Sequence, residues 1–380
     1  MKFLIIASYP DSLVKFRGPL ILKLVELGLE VHVAAPKLKA CGAFVEKLRE
    51  LGAECHDAPI DRTGLNPFRD LTSLYELTKL IKQIGPDYVF SYTIKPVIWG
   101  GIAAAFLSVP KRFALISGLG YAFTSDAKGL RRFVKRIAQS LYKYSLKKST
   151  LIFFQNKDDL QEFKSIGLIS DDSRTMIVNG SGVNISEYSV QSFSFPRKER
   201  SLKFLLVGRI LGDKGVREYV AAAKIIKEKY ENAEFHLVGG LDSNPEAIEE
   251  AEISSWTKSA TVMWHGAVDD VRPFIADSHV YVLPSYREGT PRSVLEAMSM
   301  GRPIITTDAP GCRETVVDGD NGFLVDVKSV EQLVEAMEQF IKQPELIESM
   351  GKRSREIACK KYDVHKVNGV MLRAMEIIKE

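Results

Sequence analysis

The sequence has few cysteines and no long apolar run. Its four cysteines are scattered along 380 residues, with no Cys-x-x-Cys pair and no histidine at ligand spacing (Cys41, Cys55, Cys312, Cys359). This pattern argues against a disulfide framework and a cysteine-based zinc site, and predicts reduced thiols in the cytoplasm. No apolar stretch reaches the roughly 18–20 residues that cross a bilayer. The opening MKFLIIASYP lacks a small-residue cleavage site, so we expect a buried first strand and not a signal peptide.

Composition and length instead indicate a globular protein of two domains. Apolar residues make up 45% and charged residues 26%, and a chain of this length suits two cores of roughly 150–200 residues each. The net charge of +4 hides an asymmetry. Residues 1–200 contain 29 lysines and arginines against 19 carboxylates, a balance of +10, whereas residues 201–380 contain 23 against 29, a balance of −6. A basic first half predicts an anionic partner for that half.

Short β-branched runs alternate with amphipathic stretches along the whole chain. Most runs, such as those at 3–8, 30–35 and 88–92, are continuously apolar, as in strands that are covered on both faces of a parallel sheet. The pattern restarts near Leu202. It predicts two doubly wound α/β domains, at 1–184 and 201–362, with a polar linker at 185–200 and a C-terminal helix at 363–380 that packs back on the first domain. A ligand crevice is expected at the carboxyl ends of the strands, where the two domains face each other.

Glycines and two cations follow the first strands of the second half. Gly208-Arg209 ends one strand, and Lys214-Gly215 follows five residues after the arginine. Glycine permits close backbone approach, and two cations over a helix N-terminus suit a diphosphate. Gly239-Gly240 ends the next strand in the same manner. The alternative is an ordinary surface loop with an exposed arginine and lysine.

Two glutamates eight residues apart form the most specific signal. Glu288 lies in a loop after a strand, and Glu296 lies in the following helix, with Gly289, Thr290 and Pro291 between them. Carboxylates at two depths can bind two hydroxyl-bearing parts of one ligand, such as a sugar and a ribose, while free amides at the helix start attract an anion. Alternatively, the glutamates are a helix-dipole partner and a solvated side chain.

Together these motifs, with Asp308-Ala309-Pro310-Gly311 and the DGDNGF turn at 318–323, resemble glycosyltransferase family 4. The resemblance spans essentially the whole chain and implies the GT-B fold, which consists of two Rossmann-like doubly wound parallel-sheet domains facing each other across a cleft. It also implies a retaining reaction that needs neither a metal nor a cofactor. UDP is the nucleotide that the resemblance favours.

The resemblance also implies residue roles. Arg209, Lys214 and Glu288 would be catalytic, with the two cations stabilising the departing diphosphate in place of a metal ion. The donor would be held by a set of strand-end and loop residues, with Glu288 on its sugar and Glu296 on its ribose (Gly208, Gly239, Gly240, Gly266, Val268, Gly289, Thr290, Pro291, Glu296). No metal site is predicted, because no Asp-x-Asp is suitably placed.

The first half departs from the common family pattern. Arg17 and Gly18 stand where many members have Gly-Gly, and Ser117-Gly118 stand where many have a histidine. None of the six histidines obviously substitutes. These features are similar to a bacterial group, including N-acetylgalactosaminyltransferases, that extends undecaprenyl-diphosphate-linked sugars in N-glycan, O-antigen or capsule assembly. A lipid-linked acceptor is therefore expected near Arg17, Ser117 and Gly118.

A basic amphipathic stretch supports that expectation. Residues 127–148 contain eight cations and no carboxylate, with apolar residues at helical spacing. Such a helix is typical of membrane-surface or phosphate contacts, which we assign to Arg131, Arg132, Lys135 and Arg136. We expect peripheral attachment to the inner face of the bacterial cytoplasmic membrane and no nucleic-acid binding, since no nucleic-acid motif is present. The alternative is an ordinary helix with a solvated cationic face.

Two other functions stay open at this point. One is a family 4 enzyme with a soluble acceptor. The other is a sugar-nucleotide epimerase or hydrolase on the same fold, which would need an acid/base cluster of histidine and carboxylate that the sequence does not indicate.

Overall fold

The computed structural model describes residues 1–61, 67–118, 130–191, 202–242, 244 and 247–379, without the side chains of 130–135. The chain divides into two compact units. One consists of Met1–Ser181 with Asn368–Glu380, and the other is Gly182–Val367. The predicted linker 185–200 stays a prediction, because residues 192–200 lie outside the described residues. No helix in the described part of the chain is long and apolar enough to cross a membrane.

The first unit contains a parallel sheet of seven strands in the order β3-β2-β1-β4-β5-β6-β7. Its central strands are fully buried runs, as expected for a sheet covered on both faces. In chain order they are β1 Lys2–Ile6, β2 Glu30–Ala35, β3 Ala53–Asp57, β4 Tyr88–Tyr92, β5 Lys111–Ile116, β6 Leu151–Phe154 and β7 Thr175–Ile177.

The helices of the first unit connect these strands. They are Pro10–Glu26, Gly42–Glu50, Pro67–Ile84, Gly101–Phe106, Leu130–Lys147 and Lys157–Ser165. The first helix begins at Pro10, which occupies its first turn, where a missing N–H costs nothing. The strand Ala53–Asp57 was not predicted, because its sequence AECHD is an edge strand with polar alternation and no apolar run.

The second unit contains a parallel sheet of six strands in the order β10-β9-β8-β11-β12-β13. The strands are β8 Lys203–Val207, β9 Glu234–Val238, β10 Met263–Trp264, β11 Val280–Leu283, β12 Ile304–Thr307 and β13 Gly322–Val325. The helices are Val216–Lys229, Glu250–Lys258, Arg272–Asp277, Arg292–Ser299, Val330–Lys342 and Glu345–Ile357, and a last helix, Val364–Ala374, passes from this unit into the first at Asn368. The last helix leads into residues of the first unit, where Glu376 accepts from Lys111 at 2.6 Å and from Arg174 at 3.1 Å.

Each unit is therefore a Rossmann-like doubly wound domain, as the sequence predicted. Aromatic pairs fill the cores, for example Phe204 and Phe235 at 5.1 Å between ring centroids. In both sheets the strand order reverses beside the first strand, between β1 and β4 in one unit and between β8 and β11 in the other. Connections leave these two neighbours in opposite directions, which opens a crevice at their carboxyl ends.

Candidate functional site

The crevice of the second unit lies where β8 and β11 end side by side. The loop after β8 carries Arg209 and Lys214, and the loop after β11 carries Glu288. The structure thus brings the residues that were predicted as catalytic to one edge of one sheet.

Lys214 and Glu288 form a largely buried ion pair. The Lys214 Nζ lies 2.5 Å from Oε1 of Glu288, with side chains only 14% and 16% exposed. Burial disfavours the charged ammonium, but the charge of Glu288 and its hydrogen bond outweigh burial, so the pKa of Lys214 lies above its ordinary value. The site therefore contains one fixed positive charge held by one fixed negative charge.

Gly215 sets the position of this lysine. It ends the 3-10 turn Gly212–Lys214 at a φ of +69°, and a Cβ there would lie 2.1 Å from the Pro284 carbonyl oxygen. Only glycine combines that conformation with such close packing on the end of β11. The Lys-Gly dipeptide in the sequence is explained by this contact.

Ser285 is a site residue that the sequence analysis missed. It is fully buried, and its Oγ lies 3.0 Å from Oε1 of Glu288 and 3.1 Å from the carbonyl oxygen of Asp213. The Tyr286 N–H also donates to Asp213 at 2.8 Å. Ser285 therefore orients the Glu288 carboxylate and links the two loops. The sequence did contain one sign of this role, since Ser285 is a small polar residue that comes directly after the apolar run of a buried strand.

The turn at Asp308–Gly311 supports the Glu288 backbone. The Glu288 N–H donates to the Pro310 carbonyl at 2.9 Å. Gly311 has a φ of +81°, and a Cβ there would lie 2.1 Å from the carbonyl oxygen of Glu288. This motif of the sequence thus holds the main chain that presents the glutamate.

Arg209 lies beside this pair but in a more open position. Its side chain is 47% exposed, and its Nη1 donates to Oδ2 of Asp242 at 2.9 Å. Its positive charge acts to lower the pKa of Lys214, so the two cations are electrostatic neighbours. An anion that bound both cations would relieve this repulsion.

The predicted donor glycines join three successive strand ends. A Cβ on Gly239 would lie 1.7 Å from the Gly208 carbonyl oxygen, and the Gly239 N–H donates to the Gly266 carbonyl at 2.8 Å. Gly240 accepts from the Ile210 N–H at 3.2 Å, and Val268 packs against the core. Main-chain packing alone requires glycine at 239, and its role in donor binding stays a prediction.

The helix Arg292–Ser299 begins directly after Gly289, Thr290 and Pro291 and carries Glu296 in its second turn. Glu296 is buried and accepts from Nε of Arg292 at 2.8 Å. Burial raises the pKa of Glu296 above its ordinary value, although the nearby Arg292 acts against this. The two glutamates are similarly buried but have different partners, since Glu288 pairs with Lys214 and Glu296 with Arg292.

The predicted acceptor residues of the first unit lie on several elements. Arg17 is buried in the helix Pro10–Glu26, with its guanidinium carbon 4.9 Å from the Tyr92 ring centroid at the end of β4. Burial raises the pKa of Tyr92 to about 12, although the charge of Arg17 acts in the opposite direction. Ser117 and Gly118 directly follow β5.

The basic helix Leu130–Lys147 is described in part. The side chains of Arg131, Arg132 and Lys135 lie outside the described residues. Arg136 is exposed, whereas Tyr142, Ser145 and Leu146 are buried and the Ser145 hydroxyl donates to the Val97 carbonyl. The described half of this helix thus packs an apolar face on its own unit and leaves Arg136, Lys143, Lys147 and Lys148 exposed.

Two Rossmann-like doubly wound units, with a cation–carboxylate site at the reversal of one sheet, are the architecture of the GT-B class. Residues 188–357 match the family Glycosyl transferases group 1, and residues 11–156 match the family Glycosyl transferase 4-like. The chain belongs to this family of glycosyltransferases.

Similar proteins agree with this assignment. One is the N,N'-diacetylbacillosaminyl-diphospho-undecaprenol α-1,3-N-acetylgalactosaminyltransferase of Campylobacter jejuni, which is 30% identical over 91% of each chain. The capsular polysaccharide biosynthesis glycosyltransferase CapM of Staphylococcus aureus is 26% identical over 86% of this chain and 84% of its own. Among solved structures, Anabaena HepE in complex with UDP and glucose superposes with a TM-score of 0.75 over the full length of both chains, at 16% identity.

Proposed function

We propose that this glycosyltransferase moves a hexose or N-acetylhexosamine from a UDP-sugar to an undecaprenyl-diphosphate-linked sugar in bacterial glycan assembly, with retention of configuration. The observation that carries the proposal is the buried Lys214–Glu288 pair at the sheet reversal, with Arg209 beside it. The C. jejuni relative acts on a diphospho-undecaprenol sugar, and the HepE structure contains UDP.

In this proposal, Lys214 and Arg209 bind the donor diphosphate and stabilise the negative charge that develops as it leaves. Lys214 is held in place before the donor binds, so little reorganisation is needed. Glu288, oriented by Ser285, accepts hydrogen bonds from the donor sugar hydroxyls, and Glu296 accepts them from the ribose. No metal or other cofactor takes part in this step.

The direct test is transfer from a panel of UDP- and GDP-sugars to a synthetic undecaprenyl-diphosphate sugar, with the anomeric configuration of the product read by NMR. We expect one UDP-sugar to be used and the product to keep the donor configuration. Turnover with soluble acceptor sugars alone would contradict the lipid-linked acceptor, and an inverted product would contradict retention.

The exposed cations at the end of the basic helix support peripheral attachment to the cytoplasmic face of the bacterial membrane. Each lysine or arginine near an anionic surface contributes about 1 kcal/mol within a Debye length. Arg136→Glu with Lys143→Glu should therefore abolish sedimentation with phosphatidylglycerol vesicles at low salt. The matched control reverses two exposed cations of the second unit, Lys258→Glu with Lys352→Glu, and should still sediment. Equal loss in both double variants would contradict a specific role for the helix.

A further inference from the structure

Two histidines and a glutamate meet at the edge of the first sheet, on the strands β2 and β3. The strand register places His32 opposite Glu54, and His56 lies two residues further along the same face of β3. The Nδ1 of His32 lies 3.0 Å from Nε2 of His56 and 3.5 Å from Oε2 of Glu54. The Nε2 of His56 lies 3.7 Å from Oε1 of Glu54. One ligand atom of each side chain thus lies within 4.8 Å of the other two.

These separations fit a tetrahedral metal ion. Ligands about 2.0–2.1 Å from Zn²⁺ at tetrahedral angles lie about 3.3–3.4 Å from one another. The Nδ1 of His32 lies 3.0 Å from the His56 nitrogen and 3.5 Å from Oε2 of Glu54, which is close to that value, and the 3.7 Å distance joins His56 to the other carboxylate oxygen of Glu54. Glu54 is the most exposed of the three ligands, with a side chain 65% exposed, so its carboxylate can rotate toward the ion. A fourth coordination position on that exposed side stays open to water.

The carboxylate of Glu30 fixes the tautomer of His32, the buried ligand. Glu30 lies two residues before His32 and accepts from its Nε2 at 3.0 Å, while Lys2 contacts Glu30 at 3.2 Å. This hydrogen bond keeps the proton on Nε2 and leaves the lone pair of Nδ1 directed at His56 and Glu54.

The second unit contains the same arrangement with one ligand missing. Glu234 and His236 on β9 repeat the Glu30 and His32 spacing, with 3.3 Å between Glu234 Oε2 and His236 Nε2. The Nδ1 of His236 lies 3.0 Å from Nε2 of His265, which directly follows β10. However, Met263 stands opposite His236, where Glu54 stands opposite His32. As far as the structure describes the chain, this pair lacks a third ligand and provides an internal control.

We propose that His32, Glu54 and His56 bind one Zn²⁺ ion, which fastens the edge strand β3 to β2. Two imidazoles and a carboxylate are donors that Zn²⁺ prefers, and Mg²⁺ and Ca²⁺ favour sets of oxygen ligands. The ion is structural in this proposal. Its ligands lie on the first unit, and none of them belongs to the donor site that is proposed above.

The test uses the full-length protein without a polyhistidine tag, stripped with a chelator and dialysed. Zinc is titrated by competition with a chromophoric chelator, and Co²⁺ is added separately to read the geometry from its visible spectrum. We expect one Zn²⁺ per chain, a tetrahedral Co²⁺ spectrum, and a melting temperature that rises with zinc because zinc binds the folded chain. Glu54→Gln is an exposed and isosteric change that should lower the zinc affinity at least about tenfold. Glu30→Gln should lower the zinc affinity by about tenfold.

Two further variants separate this site from unspecific binding. His265→Gln removes a histidine of the second pair and should leave zinc affinity within about twofold of wild type. Met263→Glu supplies the missing carboxylate and should raise the stoichiometry to two. The proposal fails if the chain binds no zinc, if Co²⁺ gives an octahedral spectrum, or if Glu54→Gln and His56→Gln bind zinc as wild type does while melting cooperatively.

Discussion

Two buried lysine–carboxylate pairs among the described residues have nearly equal geometry. Lys214 and Glu288 in the second unit are 2.5 Å apart with side chains 14% and 16% exposed, and Lys95 and Asp70 in the first are 2.7 Å apart with side chains 12% exposed. Distance and burial do not distinguish them. Their surroundings in the described part of the chain do: the Lys214–Glu288 pair has a neighbouring cation, a buried serine on its carboxylate and glycines that press its two loops together.

This difference shows how one fold separates a site from a packing contact. Lys95 and Asp70 connect the loop after β4 to the helix Pro67–Ile84, as many buried ion pairs connect elements. Lys95 also follows a strand at a sheet reversal, β4, but its partner lies in a helix, whereas Lys214 and Glu288 connect the loops after the two neighbouring reversal strands β8 and β11. A buried pair becomes a candidate for catalysis through such neighbours, since the fold alone does not specify function.

The largest expected effect concerns Glu288. Glu288→Gln keeps the shape of the side chain but removes the charge that orients the donor sugar and holds Lys214. We expect the transfer rate to fall by about 100- to 1000-fold, with UDP affinity by calorimetry within about threefold of wild type. A variant that transfers sugar at the wild-type rate would remove Glu288 from the mechanism.

The two cations come next. Arg209→Ala and Lys214→Met should each reduce transition-state stabilisation by about 2–3 kcal/mol, the size of a charge-assisted hydrogen bond. This corresponds to roughly 30- to 150-fold in kcat/KM. Lys214→Met also leaves Glu288 buried without its cation, so its melting temperature must be measured beside its kinetics. Turnover within about threefold of wild type in both folded variants would contradict the diphosphate role.

Glu296 should have a smaller and different effect. Glu296→Gln is expected to lower the affinity for UDP by about tenfold, because one charge-assisted hydrogen bond to ribose becomes a neutral one. Burial raises the pKa of Glu296 above 4.5, so wild-type UDP affinity should decrease as the pH falls through that pKa. The affinity of Glu296→Gln should lack this step. If instead Glu288→Gln has a reduced UDP affinity and Glu296→Gln a reduced transfer rate, then Glu288 binds the ribose and Glu296 the donor sugar.

Asp70 provides the direct contrast between the pairs. Asp70→Asn leaves Lys95 buried without a charged partner, which should cost about 3–5 kcal/mol of unfolding free energy. Transfer measured well below the melting temperature should stay within about threefold of wild type. A large loss of kcat in a folded Asp70→Asn protein would mean that the first-unit pair also serves the reaction.

The sequence predicted the fold well because most strands are continuous apolar runs, which only a sheet covered on both faces explains. It also singled out Arg209, Lys214 and Glu288, each in a glycine-containing loop after a strand, and their catalytic roles stay predictions. It missed Ser285, whose role depends on which loops meet. It also missed the set of His32, Glu54 and His56, because these side chains come from separate strands and only the register brings them together. Sequence spacing carries no signal for such a contact.

Chelation should have the smallest effect on activity. It also distinguishes the proposed donor site of the second unit from the proposed zinc site of the first. Lys214 and Arg209 neutralise the leaving diphosphate in the proposed reaction, so excess EDTA should leave the initial rate within about twofold. The same treatment should lower the melting temperature of wild type, because it removes the zinc proposed at His32, Glu54 and His56. In Glu54→Gln, EDTA should change neither quantity.

Loss of transfer that magnesium or manganese restores, with no change in melting temperature, would assign the metal to the chemistry and contradict the role of the two cations. Loss of both quantities, restored by zinc alone and absent in Glu54→Gln, would instead show that the edge of the first sheet must be intact for transfer.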